Sequence, residues 1–280
     1  MQTLEELMHK YTSVEVIGEG GQKKVYKAID PSGAVVALKV MRGDNDVRIN
    51  REIEIMRGLS VDGVPRILDS GTVFDEDIRC EQLYVVEEFV DGDSLDNILR
   101  GGKLYGLAEA YELTNCLLVI ELSLQNNRVI HRDIKPANII KRSGGGYSLV
   151  DFGIARQDGL STITDVNAAH GPLTPGYAPN EQVSNDRLSQ DVRTDLYEIG
   201  VTVYECCTGS NPFTSGARLR EEVYRRTAHM TPPPLSLAGD PTGSFGQFIA
   251  MLMGKNPSQR PKDARQALDY LAAITPFLEL

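Results

Sequence analysis

Three oxygen-bearing side chains fall close together near the middle of the chain: Asp133, Asn138 five residues later, and Asp151 eighteen residues after Asp133. Between the last two, the turn-forming run Ser143-Gly144-Gly145-Gly146 separates two short apolar stretches, so the chain should double back there as a hairpin. That brings two carboxylates and an amide to the point where two loops meet. Hard oxygen donors in such small number are what Mg2+ accepts when phosphate supplies the rest of its shell.

The octet His131-Arg132-Asp133-Ile134-Lys135-Pro136-Ala137-Asn138, followed by Asp151-Phe152-Gly153, resembles the catalytic and metal loops of the eukaryotic-type (Hanks-type) Ser/Thr protein kinases. Either tripeptide signature alone would mean little; the two at this separation are specific. The resemblance implies that Asp133 accepts a hydrogen bond from an attacking hydroxyl and takes its proton late. It implies that Lys135 neutralises the γ-phosphoryl oxygens, and that Asn138 and Asp151 hold Mg2+, or Mn2+ in its place. ATP is the implied donor and a protein hydroxyl the acceptor.

The resemblance extends over nearly the whole chain. Ile17, Gly18, Gly20 and Val25 lie in a segment similar to the kinase glycine-rich loop, where residues without a Cβ let backbone N–H groups approach phosphate oxygens; Lys23 replaces its third glycine. Ala37 and Lys39 follow in Val36-Ala37-Leu38-Lys39, whose lysine would contact the α- and β-phosphates, and Glu52, with Glu54 as the alternative, would orient that lysine from a helix. The Lys39 to Glu52 spacing, thirteen residues, is shorter than the family usually has. Glu87 to Gly92 resembles the hinge, with main-chain groups of Glu88 and Val90 bonding adenine and Ile140 completing the nucleotide set. Glu87 falls where the family places an apolar or small residue, and a carboxylate there needs a partner or water. Thr174 to Glu181 resembles the end of the activation segment, which implies a Glu181–Arg260 pair and an Asp195 that anchors the catalytic-loop backbone. Lys135 together with Thr174 favours Ser/Thr over Tyr specificity. Arg132 would receive a phosphate placed on Ser161, Thr162 or Thr164, by trans-autophosphorylation within a homodimer. The Thr231-Pro232-Pro233-Pro234-Leu235 stretch is similar to the bacterial branch.

Elements able to position these residues are visible in the pattern. Tyr11 to Asp30 alternates as a hairpin, Ala34 to Val40 and Leu83 to Val90 read as strands, and Asn50 to Leu59 has helical spacing. Leu107 to Gln125, Asp191 to Thr208 and Pro261 to Leu271 are apolar-periodic helices. The expected fold is α+β and bilobal: residues 1–89 as a small antiparallel N-lobe with one helix, and residues 90–280 as a larger, mainly helical C-lobe.

Composition narrows the alternatives. The 280 residues carry 29 Lys+Arg against 39 Asp+Glu, a net charge of −10, so a nucleic acid partner is not expected. There is no apolar run of the roughly eighteen residues a membrane helix needs, and no signal-like start. Cytoplasmic location, no membrane within this chain, protein substrates, and either a whole small kinase or an excised domain are the expectations. Cys80, Cys116, Cys206 and Cys207 show no metal-like spacing and read as reduced core residues. The rival readings are a catalytically silent binding module and a small-molecule kinase of related fold.

Overall fold

The computed structural model describes residues 2–20, 23–42, 53–54, 56–152, 173–184 and 190–280. The described residues of Met1–Ser60 and Val64–Val90 belong to one compact unit; Val61–Gly63 and those of Asp91–Gly153 and Asp165–Leu280 belong to another.

The first unit is built on an antiparallel sheet of β1 (Thr12–Glu19), β2 (Lys23–Ile29), β3 (Val35–Arg42), β4 (Ile67–Asp75) and β5 (Cys80–Glu88), in the order β1-β2-β3-β5-β4. Period-two alternation gives β3 two faces. Val36, Leu38 and Val40 join Tyr84 and Val86 of β5 in a core closed by Leu7, from the short helix α1 (Leu4–Met8). A capping box between Thr3 and Glu6 starts α1. Ala37, Lys39 and Met41 point to the opposite face with Leu83, Val85 and Glu87, their neighbours in register. The β2–β3 turn uses Gly33 at φ +88 while Asp30 Oδ1 accepts from the Ser32 and Ala34 amides. Ile53, Glu54, Met56 and Arg57 are helical, with Ile53 and Met56 buried.

The second unit opens with β6 (Gly92–Ser94), α2 (Leu95–Arg100) and the long α3 (Leu107–Asn126). A 3-10 turn at Pro136–Asn138 leads into the hairpin β7 (Ile139–Arg142) and β8 (Tyr147–Leu149), and β6-β7-β8 form a small sheet. Helices α4 (Asn180–Val183), α5 (Val192–Thr208), α6 (Arg220–His229), α7 (Ser244–Leu252) and α8 (Ala264–Ile274) follow. Helix α5, capped by Asp191 and ended by left-handed Gly209, is buried on every side between Thr194 and Tyr204 and packs against α3 and α7. This is the expected α+β arrangement of a small antiparallel sheet unit and a mainly helical one, with five strands in the sheet.

Several elements differ from the sequence pattern. Strand β5 begins at Cys80 and ends at Glu88, and α8 starts only after Asp263, whose carboxylate accepts from the Gln266 amide as its N-cap. Strand β4 and helices α6 and α7 were not expected. The Leu68-Asp69-Ser70-Gly71 run has the composition of a turn, yet Gly71 is needed in the strand, because a Cβ there would lie 2.9 Å from the Tyr84 ring. Cys206 and Cys207 are buried as expected, whereas Cys80 and Cys116 are half-buried; all four are free. Among the described residues no helix is long and apolar enough to cross a membrane.

Candidate active site

Asp133 lies at the centre of the second unit's site, 4% exposed. Its Oδ1 accepts from the Thr174 hydroxyl at 2.6 Å, and its Oδ2 accepts from Asn138 Nδ2 at 2.9 Å and faces Lys135 Nζ at 2.9 Å. Lys135 Nζ also donates to the Thr174 hydroxyl at 2.8 Å. The sequence-selected Asp133, Lys135, Asn138 and Thr174 are thus brought together. Asn138 follows a proline-started 3-10 turn, and its amide nitrogen serves both the Asp133 carbonyl and carboxylate at 2.9 Å, which turns its amide oxygen away from them. That oxygen, with the Asp151 carboxylate, is a donor set of the kind Mg2+ accepts, so the residues present fit the ion.

The loop holds a conformation that costs energy. Arg132 and Asp151 have φ +63 and +72, left-handed values that cost a non-glycine residue about 1–3 kcal/mol. Asp195, on the first turn of α5, compensates by accepting from the His131 and Arg132 amides at 2.7 Å each. Glu198, one turn along α5, accepts from the Ile134 amide at 2.6 Å, and Gln182 of α4 donates to the Arg132 carbonyl at 2.8 Å. His131 Nδ1 accepts from the Asp133 amide at 3.2 Å, which leaves the proton on Nε2 to donate to the Val150 carbonyl at 3.2 Å. Its ring packs on Phe152, centroids 4.5 Å apart. The roles of Glu198 and Gln182 were not read from the sequence. The i, i+3 spacing of Asp195 and Glu198 on one helix was the available signal for Glu198.

Beneath this loop lies a third carboxylate the sequence reading passed over. Glu121 of α3 is wholly buried, and among the described residues no hydrogen-bond donor reaches either of its oxygens. Burial, with Asp195 and Glu198 beside it, pushes Glu121 well above the ordinary glutamate range. Burial likewise pushes Asp195 up to about 6, against the pull of the two amides it caps. We take Glu121 as the protonated member, since among the described residues no backbone donor holds its charge, whereas two hold that of Asp195. The folded protein then keeps a proton that the unfolded chain releases. This contribution is intact below the unfolded pKa and lost as pH rises through the folded one. Glu121→Gln, which retains a donor without a titrating group, should remove that slope. In urea melts across pH 4.5 to 8, the variant gains on wild type by about 1.4 kcal/mol for each pH unit crossed within the window. Parallel stability curves would rule this assignment out.

In the first unit, Gly18 pairs with Val25 and the Gly20 amide donates to the Lys23 carbonyl at 2.9 Å across the β1–β2 turn. Neither glycine is required by packing: a Cβ at Gly20 meets nothing within 4 Å, and one at Gly18 makes only ordinary contact with Val25 at 3.7 Å. Ile17 is exposed and Ala37 buried. Lys39 Nζ stands 2.6 Å from Glu87 Oε2. Glu88 is bound by Arg66, whose Nε donates to Oε1 at 2.7 Å and whose amide donates to Oε2 at 3.2 Å; these bonds hold its carboxyl below the usual range. Val90 closes the unit, and Ile140 lies in β7 of the other.

Arg260 reaches Glu181 Oε1 at 2.6 Å and Oε2 at 3.2 Å, as the motif implies. Glu52, Ser161, Thr162 and Thr164 lie outside the described residues, as does Gly153.

A family model for the protein kinase domain matches residues 11–271. The chain is 33% identical over 262 residues to serine/threonine-protein kinase 36 of Pongo abelii, covering 90% of this chain and 18% of that protein. It is 32% identical over 266 residues to the probable serine/threonine-protein kinase PknB of Bifidobacterium longum, covering 90% and 37%. Identity to PknB of Mycobacterium tuberculosis is 30% over 276 residues, covering 95% and 43%. The chain therefore spans less than half the length of each of these relatives. Its catalytic-loop motif, its α+β architecture and this match over most of its length agree: the chain belongs to the protein kinase domain family, among relatives named as serine/threonine-protein kinases in animals and bacteria.

Proposed function

We propose that this domain transfers the terminal phosphoryl group of Mg·ATP to serine or threonine hydroxyls of proteins, its own activation segment among them. The observation that carries the reading is the Thr174 hydroxyl: an alcohol donates to Asp133 Oδ1 at 2.6 Å while the Lys135 ammonium stands 2.8 Å from the same oxygen. A substrate hydroxyl presented in that way has its proton directed at a carboxylate and a lone pair free for attack. Its oxygen bonds to the γ-phosphorus as the bond to the β–γ bridging oxygen breaks; ADP leaves, and Asp133 takes the proton.

Lys135 neutralises charge on the transferring group, Lys39 holds the other phosphates, and the backbone at Gly18 and Gly20 lies open for close approach. Glu88 and Val90 offer main-chain groups to the base, with Ile17, Val25 and Ala37 as its apolar contacts on the first unit; Ile140, on the second, is assigned to the nucleotide by the family resemblance alone. Asn138 and Asp151 would hold Mg2+. Bound there, the ion would neutralise phosphate oxygens. Arg132 Nε is buried with no hydrogen-bond partner among the described residues, which suits it to receive a phosphorylated Ser161, Thr162 or Thr164.

The test is incubation with Mg2+ and γ-labelled ATP, followed by mass spectrometry. Label on a generic basic protein and on the chain within residues 158–174, lost in Asp133→Ala, is the expected result. Label only on an aminoglycoside would make this a small-molecule kinase. Stabilisation by Mg·ATP without any transfer would make it a nucleotide-gated binding module.

A further inference from the structure

Glu87 occupies the end of β5 on the same face as Lys39. Register pairs Lys39 with Val85 and Glu87 with Ala37, so the two charged residues are diagonal neighbours on adjacent strands. Their side chains are 10% and 9% exposed and meet at 2.6 Å. An apolar residue would serve packing here, because Leu83 and Val85 on the same face are already buried. A carboxylate taken out of water is costly unless a cation meets it in good geometry, and two strands of one ladder fix that geometry tightly.

We propose that Glu87 is a positioning residue for Lys39, holding the ammonium from within the sheet in the role that the family motif gives to a helix glutamate. The proposal rests on the kinase reading above for what Lys39 touches. Two departures of the sequence then have one explanation: the thirteen-residue spacing from Lys39 to Glu52 and the acidic residue before the hinge.

A double-mutant cycle on the full chain tests this, using wild type, Lys39→Met, Glu87→Gln and the double variant. The readouts are the dissociation constant of a fluorescent Mg·ATP analogue, and kcat and ATP KM with a basic protein substrate; thermal melts check folding. Glu87→Gln should weaken nucleotide binding about tenfold when Lys39 is present and less than about twofold in the Lys39→Met background, because its effect passes through that lysine. Glu87→Asp, still charged but one methylene shorter, should lose less than Glu87→Gln, and it replaces Glu87→Gln in the cycle if the amide variant does not fold. Glu52→Gln should cost less than Glu87→Gln. Equal losses in both backgrounds, or wild-type affinity in Glu87→Gln, would overturn the proposal. An intact binding cycle without Asp133-dependent transfer would overturn the kinase reading and leave this one standing. A wild type that binds no nucleotide overturns both.

Discussion

Asp133→Asn should lower kcat by about a thousandfold while leaving the affinity for Mg·ATP within about threefold of wild type. The replacement keeps the shape of a side chain that is 4% exposed but removes its capacity to take a proton. It also removes the charge opposite Lys135, which stands 2.9 Å from Oδ2. The amide presents an N–H where the carboxylate accepted from Thr174 or from Asn138, so one of those two donors loses its acceptor. A displaced hydroxyl and an absent base act on the same step. The loss should therefore appear in kcat, where an interaction confined to the transition state belongs, and not in nucleotide binding. Initial rates against ATP, with thermal melts to confirm folding, decide it. Activity retained within tenfold would show that Asp133 is not the group that handles the proton.

The site residues that the sequence made legible are those fixed by local spacing. Asp133, Lys135 and Asn138 sit within six residues, so a short loop and one 3-10 turn suffice to bring them together. Asp195 and Arg260 lie far from their partners and were found only through resemblance. What stayed hidden depended on register and three-dimensional packing. Glu87 was marked as a carboxylate in need of a partner, but Lys39 emerges as that partner only from the pairing of β3 with β5. Glu121 sat in an apolar-periodic segment that fits a helix whether one position is charged or not. Its consequence depends on α5 bringing Asp195 and Glu198 against it. Strand β4 was missed because its polar composition outweighed its short alternation, while the Tyr84 ring that demands Gly71 lies on another strand.

The largest loss of stability should come from Arg260→Met. The Arg260 side chain is wholly buried and makes five hydrogen bonds: two to the Glu181 carboxylate, and one each to the carbonyls of Gly254 at 2.8 Å, Arg193 at 2.8 Å and Lys255 at 3.3 Å. Its guanidinium also lies 4.9 Å from the Tyr197 ring centroid. Methionine fills much of the volume but leaves the Glu181 carboxylate buried, with a long 3.4 Å contact from the Thr194 hydroxyl as its one remaining side-chain donor among the described residues. Removing one partner of such a pair costs about 3–5 kcal/mol, or a Tm lowered by roughly 6–12 °C. Glu181 and Gln182 are neighbours on α4, and Gln182 holds the Arg132 carbonyl, so the catalytic loop should loosen and activity fall as well. Adding Glu181→Leu removes the stranded carboxylate. The double variant should therefore recover at least about 1 kcal/mol relative to Arg260→Met alone, a gain that independent sites would not show. Urea melts of the two singles and the double measure this coupling directly. Additive losses would mean that Arg260 stabilises the unit through the three carbonyls it binds, with its charge on Glu181 contributing little.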